Sequence, residues 1–155
     1  MNPILLSSGR EDYETPQELF NELNKEFGFT LDPCATDETA KCIKYYTLKD
    51  DGLSKDWTGE IVFCNPPYNS KQDAWVHKCY EHGKHGGIAV MLIPARTDTK
   101  RFHEHILGKA EIRFIRGRLK FKGGRHDSAP FPSMIVVFPK DYKRIKIQWS
   151  VFNGE

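Results

Sequence analysis

The chain has 155 residues, of which 39% are apolar and 28% are charged, and its formal net charge is +2. This length predicts a single domain, and the apolar content is sufficient for a buried core. No apolar run is long enough to cross a membrane, and residues 1–9 lack the layout of a signal peptide. We therefore expect a cytoplasmic protein, with residues 1–12 as a flexible N-terminal arm and residues 13–155 as one domain.

The cysteines and histidines predict neither disulfide bonds nor a metal site. The four cysteines include no C-x-x-C pair, and a cytoplasmic chain keeps its thiols reduced. Several histidines lie close to Cys79 in the sequence, at spacings that match no standard zinc pattern. We therefore expect no metal cofactor.

The first part of the chain carries alternating helix and strand signals. Thr15 as N-cap, with Pro16 and Glu18 behind it, predicts the start of a helix. A glycine ends that helix, and residues 29–32 follow as a short strand. The carboxylate of Asp32 would then lie at the carboxyl end of a strand, where open α/β sheets bind their ligands.

The middle of the chain repeats this alternation. The apolar run Ile61–Cys64 predicts a short buried strand, and the longer run over residues 87–93 predicts a second one. Asp73 is expected to cap a helix between them, and residues 99–107 predict another short helix.

Beyond residue 110 the pattern changes from helical to alternating. The predicted strands cover residues 111–115, 118–121, 133–138 and 144–152. Strands that first alternate with helices and then follow one another through turns indicate an α/β fold. We expect a mixed sheet with an antiparallel C-terminal part, flanked by helices.

The four residues Asn65-Pro66-Pro67-Tyr68 cannot continue the strand before them. Two prolines fix φ and remove two backbone donors, so the chain leaves the sheet in an extended loop. The carbonyls of Asn65 and Pro66 then have no competing ladder partner, and an amide and an aromatic ring lie beside them. Such acceptors next to a ring suit a planar aromatic amine, whose N–H groups they hold while the ring stacks on its face.

A basic stretch in the C-terminal part contains no acidic residue. Clustered charge indicates a nucleic-acid partner better than net charge does, although a solvated strand face explains it equally well. A long polar loop rich in glycine and proline, residues 123–132, overlaps the end of this stretch. The basic side chains are Arg113, Arg116, Arg118, Lys120, Lys122 and Arg125.

Several motifs together resemble the bacteriophage DNA N-6-adenine methyltransferases, the phage Dam family of amino-methyltransferases. Asn65-Pro66-Pro67-Tyr68 matches the catalytic D/N/S-P-P-Y/F/W motif of these enzymes. The resemblance implies a minimal Rossmann-like methyltransferase fold, S-adenosylmethionine as methyl donor and adenine in DNA as acceptor. The other matching stretches are Tyr13-Glu14-Thr15-Pro16, Asp32-Pro33-Cys34-Ala35, Tyr45-Tyr46, Asp50-Asp51-Gly52-Leu53, residues 94–99, Arg116-Gly117-Arg118 and residues 130–133.

The family mechanism implies catalytic roles for the motif, which Pro67 completes. The Asn65 side-chain oxygen and the Pro66 carbonyl would accept the two hydrogens of adenine N6. This would localise the nitrogen lone pair and direct it at the methyl group. Tyr68 would stack on the base once it is flipped out of the duplex. Positioning and stabilisation of positive charge on N6 would supply most of the rate.

The resemblance also implies a set of cofactor-binding residues. Thr15 and Pro16 would cover the methionine end of the donor, although a helix-capping role explains both without a ligand. Asp50 or Asp51 would bind the ribose hydroxyls, as an acidic residue behind a strand does in dinucleotide folds. The remaining members of the set are Asp32, Pro33, Cys34, Ala35 and Asn65.

Two departures from the family pattern bear on binding. Residues 32–37 contain no glycine where relatives carry a Gly-rich loop, so the backbone must approach the cofactor in another way. A chain of 155 residues leaves no room for a separate recognition domain. Low sequence specificity, a short target or binding as a homodimer would follow. The expected DNA-binding side chains are Arg96, Arg116, Arg118, Lys120, Lys122 and Arg125.

Two other functions fit the same residues. The motif also serves enzymes that methylate cytosine N4, an RNA base or the amide of protein glutamine, all of which present a planar amine. A non-catalytic nucleic-acid-binding protein on a methyltransferase fold would agree with the small size and the missing glycines. Such a binder would not need the amide and the ring of the motif together.

Overall fold

The computed structural model describes residues 13–121 and 128–145, which contain a six-stranded sheet. Its strands are β1 (Leu31–Asp32), β2 (Lys44–Tyr45), β3 (Ile61–Cys64), β4 (Ile88–Pro94), β5 (Glu111–Phe114) and β6 (Ser133–Phe138). They lie in the order β2-β1-β3-β4-β6-β5. Neighbours among β1 to β4 are parallel, whereas β6 is antiparallel to both β4 and β5. The predicted mixed sheet with an antiparallel C-terminal part is confirmed.

The main helical elements are α1 (Gln17–Phe27), α2 (Gln72–Lys84), a 3-10 turn (Gly52–Ser54) and a π-helical turn (Phe102–Ile106). Helix α1 buries Phe20, Leu23 and Phe27, which share one helical face. It ends at Gly28, whose φ of 67° lies in the left-handed region that favours glycine. Neither helix has the length and apolar character that a membrane span requires, as far as the structure describes the chain.

The sheet separates two apolar cores because its central strands are buried on both faces. In β3, Val62 and Cys64 join the core that includes residues of α2, while Ile61 and Phe63 join the core that includes residues of α1. All seven residues of β4 are buried, and the six from Ile88 to Ile93 alternate between the two cores in the same way. Burial on both faces requires a continuous apolar run, which explains why such runs predict these two strands correctly.

The carboxyl ends of β1 to β5 lie at one edge of the sheet, together with the amino end of β6. Pro94 at the end of β4 pairs with Ser133 at the start of β6, and Phe114 at the end of β5 pairs with Met134. The chain runs from β1 outward to β2 and then crosses back to β3, so the strand order reverses between β1 and β3. Open α/β sheets bind ligands in the crevice at such a reversal.

Both predicted helix caps are wrong. Pro16 rather than Thr15 is the N-cap of α1, and no described side chain caps that helix. Thr15 is instead buried and hydrogen-bonded to Asn65, so a tertiary partner replaces the local one. Asp73 lies within the first turn of α2, where Lys71 is the N-cap.

The predicted strand over residues 118–121 is not formed. The Leu119 carbonyl accepts one backbone hydrogen bond, from the Ala129 N–H at 2.9 Å, and the Phe121 ring packs against Tyr13. Residues 144–145, predicted to begin a strand, are helical. Residues 146–152 of that strand and the arm over residues 1–12 lie outside the described residues. Leu107, at the end of the short helix predicted over residues 99–107, is exposed.

Candidate active site

A cavity of about 350 Å³ lies at the carboxyl edge of the sheet and is called here the first cavity. Its walls come from the segment that precedes α1 and from the loops that follow β1, β2 and β3 in the chain. Pro66 and Pro67 of the predicted catalytic motif line it, whereas Tyr68 does not. Of the predicted cofactor-binding residues, its lining contains Thr15, Asp32, Pro33, Cys34, Ala35, Asp51 and Asn65, but not Pro16 or Asp50.

The segment before α1 holds the side-chain amide of Asn65 in one orientation. Asn65 Nδ2 donates to the Tyr13 carbonyl at 2.8 Å and to Thr15 Oγ1 at 3.0 Å. Because a backbone carbonyl can only accept, the amide nitrogen faces Tyr13 and the amide oxygen faces away. Oδ1 accepts a hydrogen bond from the Tyr68 hydroxyl at 3.1 Å, which leaves a second lone pair for a ligand.

One carbonyl of the motif takes part in the fold, whereas two others have no donor in the described part of the chain. The Pro67 carbonyl accepts a hydrogen bond from the Asn69 N–H at 3.0 Å, which begins the turn into α2. No donor from residues 13–121 or 128–145 reaches the Asn65 or Pro66 carbonyl. The Asn65 side-chain oxygen and the Pro66 carbonyl thus both keep acceptor capacity, and both residues line the first cavity.

Tyr68 belongs to an aromatic cluster that residues far apart in sequence contribute. Its ring stacks on Tyr13, with centroids 5.1 Å apart and planes inclined by 24°. Phe121 and Phe131 meet the Tyr68 ring edge to face. Burial raises the pKa of the Tyr68 hydroxyl well above its usual range, so the group remains a neutral donor to Asn65. Sequence reasoning missed Tyr13 as a site residue, although it is part of a matching motif.

The loop that follows β1 forms one wall of the first cavity, and it takes the place of the glycine-rich loop that the sequence lacks. The Asp32 carboxylate accepts hydrogen bonds from the N–H groups of Cys34 at 3.4 Å and Lys41 at 3.0 Å. Burial raises the pKa of Asp32 to about 6, and these two hydrogen bonds act against that rise. The Lys41 ammonium reaches Glu14 at 3.6 Å and Gln17 at 2.9 Å, which ties the loop to the segment before α1.

The turn behind β2 separates the two acidic candidates. The Asp50 carboxylate accepts hydrogen bonds from the Thr47 N–H at 2.8 Å and hydroxyl at 3.1 Å, which lower its pKa. Asp51 lines the cavity at a left-handed φ of 56°, and its carboxylate has no hydrogen-bond partner within the described chain. Gly52 permits this arrangement, because a Cβ there would lie 2.1 Å from the Pro33 carbonyl oxygen.

A second cavity, of about 360 Å³, adjoins the first, and Tyr13 and Asn69 line both. Its lining combines the Tyr68 and Phe131 rings with basic side chains and is called here the second cavity. The exposed Arg96 guanidinium lies 6.0 Å from the centre of the Phe131 ring. The lining also includes Arg101, which forms an ion pair at 3.0 Å with a carboxylate of α2.

The basic stretch divides into exposed and structural side chains. Arg116, Arg118 and Lys120 are exposed, and none forms an ion pair with a described residue. They follow β5 in the chain, and the carboxyl end of β5 lies at the same edge of the sheet as the cavities. Lys122 and Arg125 lie outside the described residues.

Arg113 was wrongly grouped with these residues. Its guanidinium binds both carboxylate oxygens of Glu26 at 2.7 Å and also binds Glu111 at 2.7 Å and the Tyr142 hydroxyl at 2.9 Å. These partners raise its pKa and join β5 to α1. Arg113 therefore stabilises the fold.

No group of three or more His, Cys, Asp or Glu side chains within the described ranges is placed to hold a metal ion. All four cysteines are free. Burial raises the pKa of Cys42 to about 12 and that of Cys34 further, so both thiols stay protonated at neutral pH.

The sheet order, the crevice at its reversal and the loop from Asn65 to Tyr68 define a small protein of the Rossmann-like methyltransferase class. The chain belongs to the DNA N-6-adenine-methyltransferase (Dam) family, whose model matches residues 4–154. The family inferred from the motifs is thus confirmed.

Two phage proteins illustrate the relationship. The chain is 34% identical over 112 residues to the DNA N-6-adenine-methyltransferase of Escherichia phage T1, a match that covers 71% of this chain and 47% of that protein. It is 28% identical over 138 residues to the DNA N-6-adenine-methyltransferase of Haemophilus phage HP1, with 84% and 80% covered. The chain therefore spans about half the length of the T1 relative and most of the HP1 relative.

Proposed function

We propose that this chain transfers a methyl group from S-adenosylmethionine to N6 of adenine in DNA. Membership in the Dam family and the names of the two phage relatives support this reaction. The observation that carries it is a pair of acceptors with free lone pairs, Asn65 Oδ1 and the Pro66 carbonyl, in the wall of the first cavity beside Tyr68.

The first cavity fits S-adenosylmethionine in size and in chemistry. Its volume of about 350 Å³ lies within the range of roughly 300–1,000 Å³ that small-molecule sites occupy. Asp51 offers the ribose hydroxyls a carboxylate that has no described hydrogen-bond partner, and Leu48 and Leu53 offer apolar surface for the purine ring. Lys41 and Glu14 add a cation and an anion, which match the carboxylate and ammonium of the methionine end.

The bound donor supplies an electrophilic methyl group, and the chain makes the adenine amine nucleophilic and aims it. The N6 lone pair is delocalised into the purine ring, which makes N6 a poor nucleophile. Hydrogen bonds from N6 to Asn65 Oδ1 and the Pro66 carbonyl would localise that lone pair and fix its direction. The same two oxygens would stabilise the positive charge that develops on N6. Thr15 and Tyr13 act as positioning residues because they orient the Asn65 amide.

The second cavity provides room for a base flipped out of the duplex. N6 of a stacked and paired adenine cannot enter a site inside the protein, so the nucleotide has to rotate outward. Because Tyr13 covers one face of the Tyr68 ring, the base has to use the other face or displace Tyr13. Arg96 at this cavity would contact the flanking phosphates.

The remaining exposed basic side chains provide a binding surface for the duplex that does not depend on its base sequence. Arg116, Arg118 and Lys120 lie beyond the carboxyl edge of the sheet, without acidic partners in the described part of the chain. Cations placed in this way bind phosphates and release counterions. This contact would hold the duplex beside the second cavity while the target base enters.

Expression in bacteria that lack adenine methylation tests the proposal. Digested genomic DNA should contain N6-methyldeoxyadenosine when the wild-type chain is produced, and sequencing should map it to a short recurring site. DNA from cells that produce Asn65→Ala at the same soluble level should contain far less. Unmodified DNA from cells that contain folded wild-type protein would overturn the proposal.

Two further measurements distinguish the alternative functions. Labelled S-adenosylmethionine is incubated with the protein and with DNA, RNA or protein separately, and label in RNA or protein alone would assign a different planar amine. Calorimetry with S-adenosylmethionine is expected to show binding. The absence of binding at high donor concentration would assign a non-catalytic nucleic-acid-binding role.

A further inference from the structure

Gln72 has a buried side chain that forms no hydrogen bond with the described part of the chain. It is the first residue of α2, it is 3% exposed, and its Nε2 has no partner there. The oxygen of the carboxamide also has no partner among residues 13–121 and 128–145. A buried amide without a partner destabilises a folded protein, so the catalytic domain keeps Gln72 here at a cost.

The location of Gln72 suggests what the amide is for. Gln72 lines the second cavity together with Tyr68, on which the base is proposed to stack. Its backbone is fixed, because the Gln72 N–H donates to the Asn69 carbonyl at 3.1 Å at the start of α2. The cavity therefore has a carboxamide on a fixed backbone, and neither its donor nor its acceptor has a partner in the described part of the chain.

The other amide and charged side chains in this lining have partners or face solvent. The Asn69 side-chain oxygen accepts a hydrogen bond from the Lys71 N–H at 2.8 Å. Arg101 is paired with Asp73 at 3.0 Å, and Arg96 is exposed at the surface. Gln72 is thus the buried lining side chain that remains free to bind the edge of a base.

We propose that Gln72 recognises the target adenine by donating an N–H to the ring nitrogen beside the amino group, N1 or N7. This inference rests on the proposed function, in which Asn65 and Pro66 hold both hydrogens of N6. N1 on the Watson–Crick edge and N7 on the Hoogsteen edge are then the acceptors that remain next to the amine. Carboxamides pair with the adenine edge in protein–DNA complexes, and at N1 guanine presents a hydrogen where adenine accepts one. Gln72 is therefore a specificity-determining residue.

The first test compares the wild-type protein with Gln72→Met, which keeps the side-chain length and removes both polar atoms. We expect Tm to stay the same or rise, because an unpaired buried amide is lost. Affinity for S-adenosylmethionine should not change, because Gln72 does not line the first cavity. The kcat/KM for DNA should fall about tenfold or more. A variant that folds and methylates DNA at the wild-type rate would overturn the inference.

The second test asks whether Gln72 and one ring nitrogen act together. Duplexes that contain the mapped target site carry adenine, 1-deazaadenine or 7-deazaadenine at the methylated position. Wild type should methylate one analogue about tenfold more slowly, and Gln72→Met should lose most of that difference. A structural role for Gln72 would lower all three rates by the same factor.

The outcomes separate this inference from the proposed function. A wild-type protein that methylates adenine but treats both analogues alike overturns the role of Gln72 and leaves the reaction intact. This comparison uses wild type alone, so it decides the question even if Gln72→Met fails to fold. A wild-type protein that methylates no DNA overturns the reaction itself.

Discussion

The two cavities at the carboxyl edge differ in how their polar groups are satisfied. In the first cavity, the Asn65 amide and the Asp32 carboxylate are hydrogen-bonded by other parts of the chain. In the second cavity, the Gln72 side chain has no described partner and the Arg96 side chain is exposed. Apart from the Asp51 carboxylate, these polar groups of the first cavity are thus oriented before a ligand binds, whereas the second cavity leaves the Gln72 amide and the Arg96 guanidinium for a substrate to contact. Groups that are already oriented need not reorganise during the reaction.

Asn65→Ala should produce the largest effect, because it removes the oriented acceptor from the first cavity. We expect the methylation rate to fall by roughly 10²–10³-fold, about 3–4 kcal/mol, as when one preorganised group is removed from a transition-state site. Affinity for S-adenosylmethionine should change by a few fold at most, because many other residues line that cavity. Single-turnover methylation and calorimetry measure the two quantities.

Tyr68→Phe provides the control for this substitution. It keeps the ring for stacking and removes only the hydroxyl that donates to Asn65 Oδ1 at 3.1 Å. Its loss of rate should therefore be much smaller than that of Asn65→Ala. Wild-type activity in folded Asn65→Ala would remove the motif from the mechanism.

The sequence predicted those parts of the fold that depend on contiguous or periodic patterns. Ile61–Cys64 and Ser133–Phe138 form strands over the predicted residues because buried strands need continuous apolar runs. The helix cap at Thr15 failed because its hydroxyl binds Asn65, a partner 50 residues away. Arg113 was misassigned for the same reason, since its partner Glu26 lies 87 residues away.

The site itself was only partly predictable. The motif gave Asn65 and Tyr68, because two prolines behind a strand constrain the backbone whatever the tertiary structure is. Neither Gln72 nor Tyr13 could be assigned a contact from the sequence. A single glutamine has no pattern, and the stacking of Tyr13 on Tyr68 depends on how α1 and the β3 loop meet.

The ionised carboxylate of Asp32, which lines the first cavity, destabilises the fold. Burial raises the pKa of Asp32 from 3.8 to about 6. Between these two values the folded chain holds a proton that the unfolded chain has released. The stabilisation that comes from this extra proton is therefore fully present below about pH 4, and it is lost as pH rises through about 6. A pKa difference of this size corresponds to about 3 kcal/mol.

Asp32→Asn tests this pH dependence, because an asparagine cannot ionise. Urea unfolding at several values between pH 4 and pH 7 should show wild type losing about 3 kcal/mol relative to the variant. Asparagine has only one acceptor oxygen for the Cys34 and Lys41 N–H groups, which adds an offset that does not vary with pH. Stability curves that stay parallel over this interval would contradict the assignment to Asp32.

Asp51→Asn should lower the affinity for S-adenosylmethionine about tenfold, or by about 1.4 kcal/mol, because a charge-assisted hydrogen bond becomes a neutral one. Asparagine also tolerates the left-handed φ of 56° at this position, so the turn should keep its shape. Calorimetric titration with S-adenosylmethionine measures the change. Asp50→Asn is the matched control, because Asp50 does not line the cavity and its carboxylate is bound to Thr47. Equal loss in both variants would show that the turn, rather than the Asp51 charge, matters.

Neutralising the exposed cations beyond the second cavity should have the smallest effect per residue. The double variant Arg116→Gln, Arg118→Gln should bind DNA several fold more weakly at moderate salt. If both side chains bind phosphates, the slope of log K against log salt should become shallower by about 1.8, or about 0.9 for each phosphate that is no longer neutralised. Fluorescence anisotropy with a labelled duplex at several salt concentrations measures this slope.

Lys25→Gln, Lys84→Gln is the matched control, because it lowers the net charge from +2 to 0 by the same two charges. Lys25 lies in the last turn of α1 and Lys84 is the last residue of α2, just before β1 and β4 begin at the opposite edge of the sheet. A general effect of net charge would flatten the slope equally in both double variants. Local phosphate binding flattens it only in the arginine variant, because screened charges more than about 10 Å from the duplex contribute little.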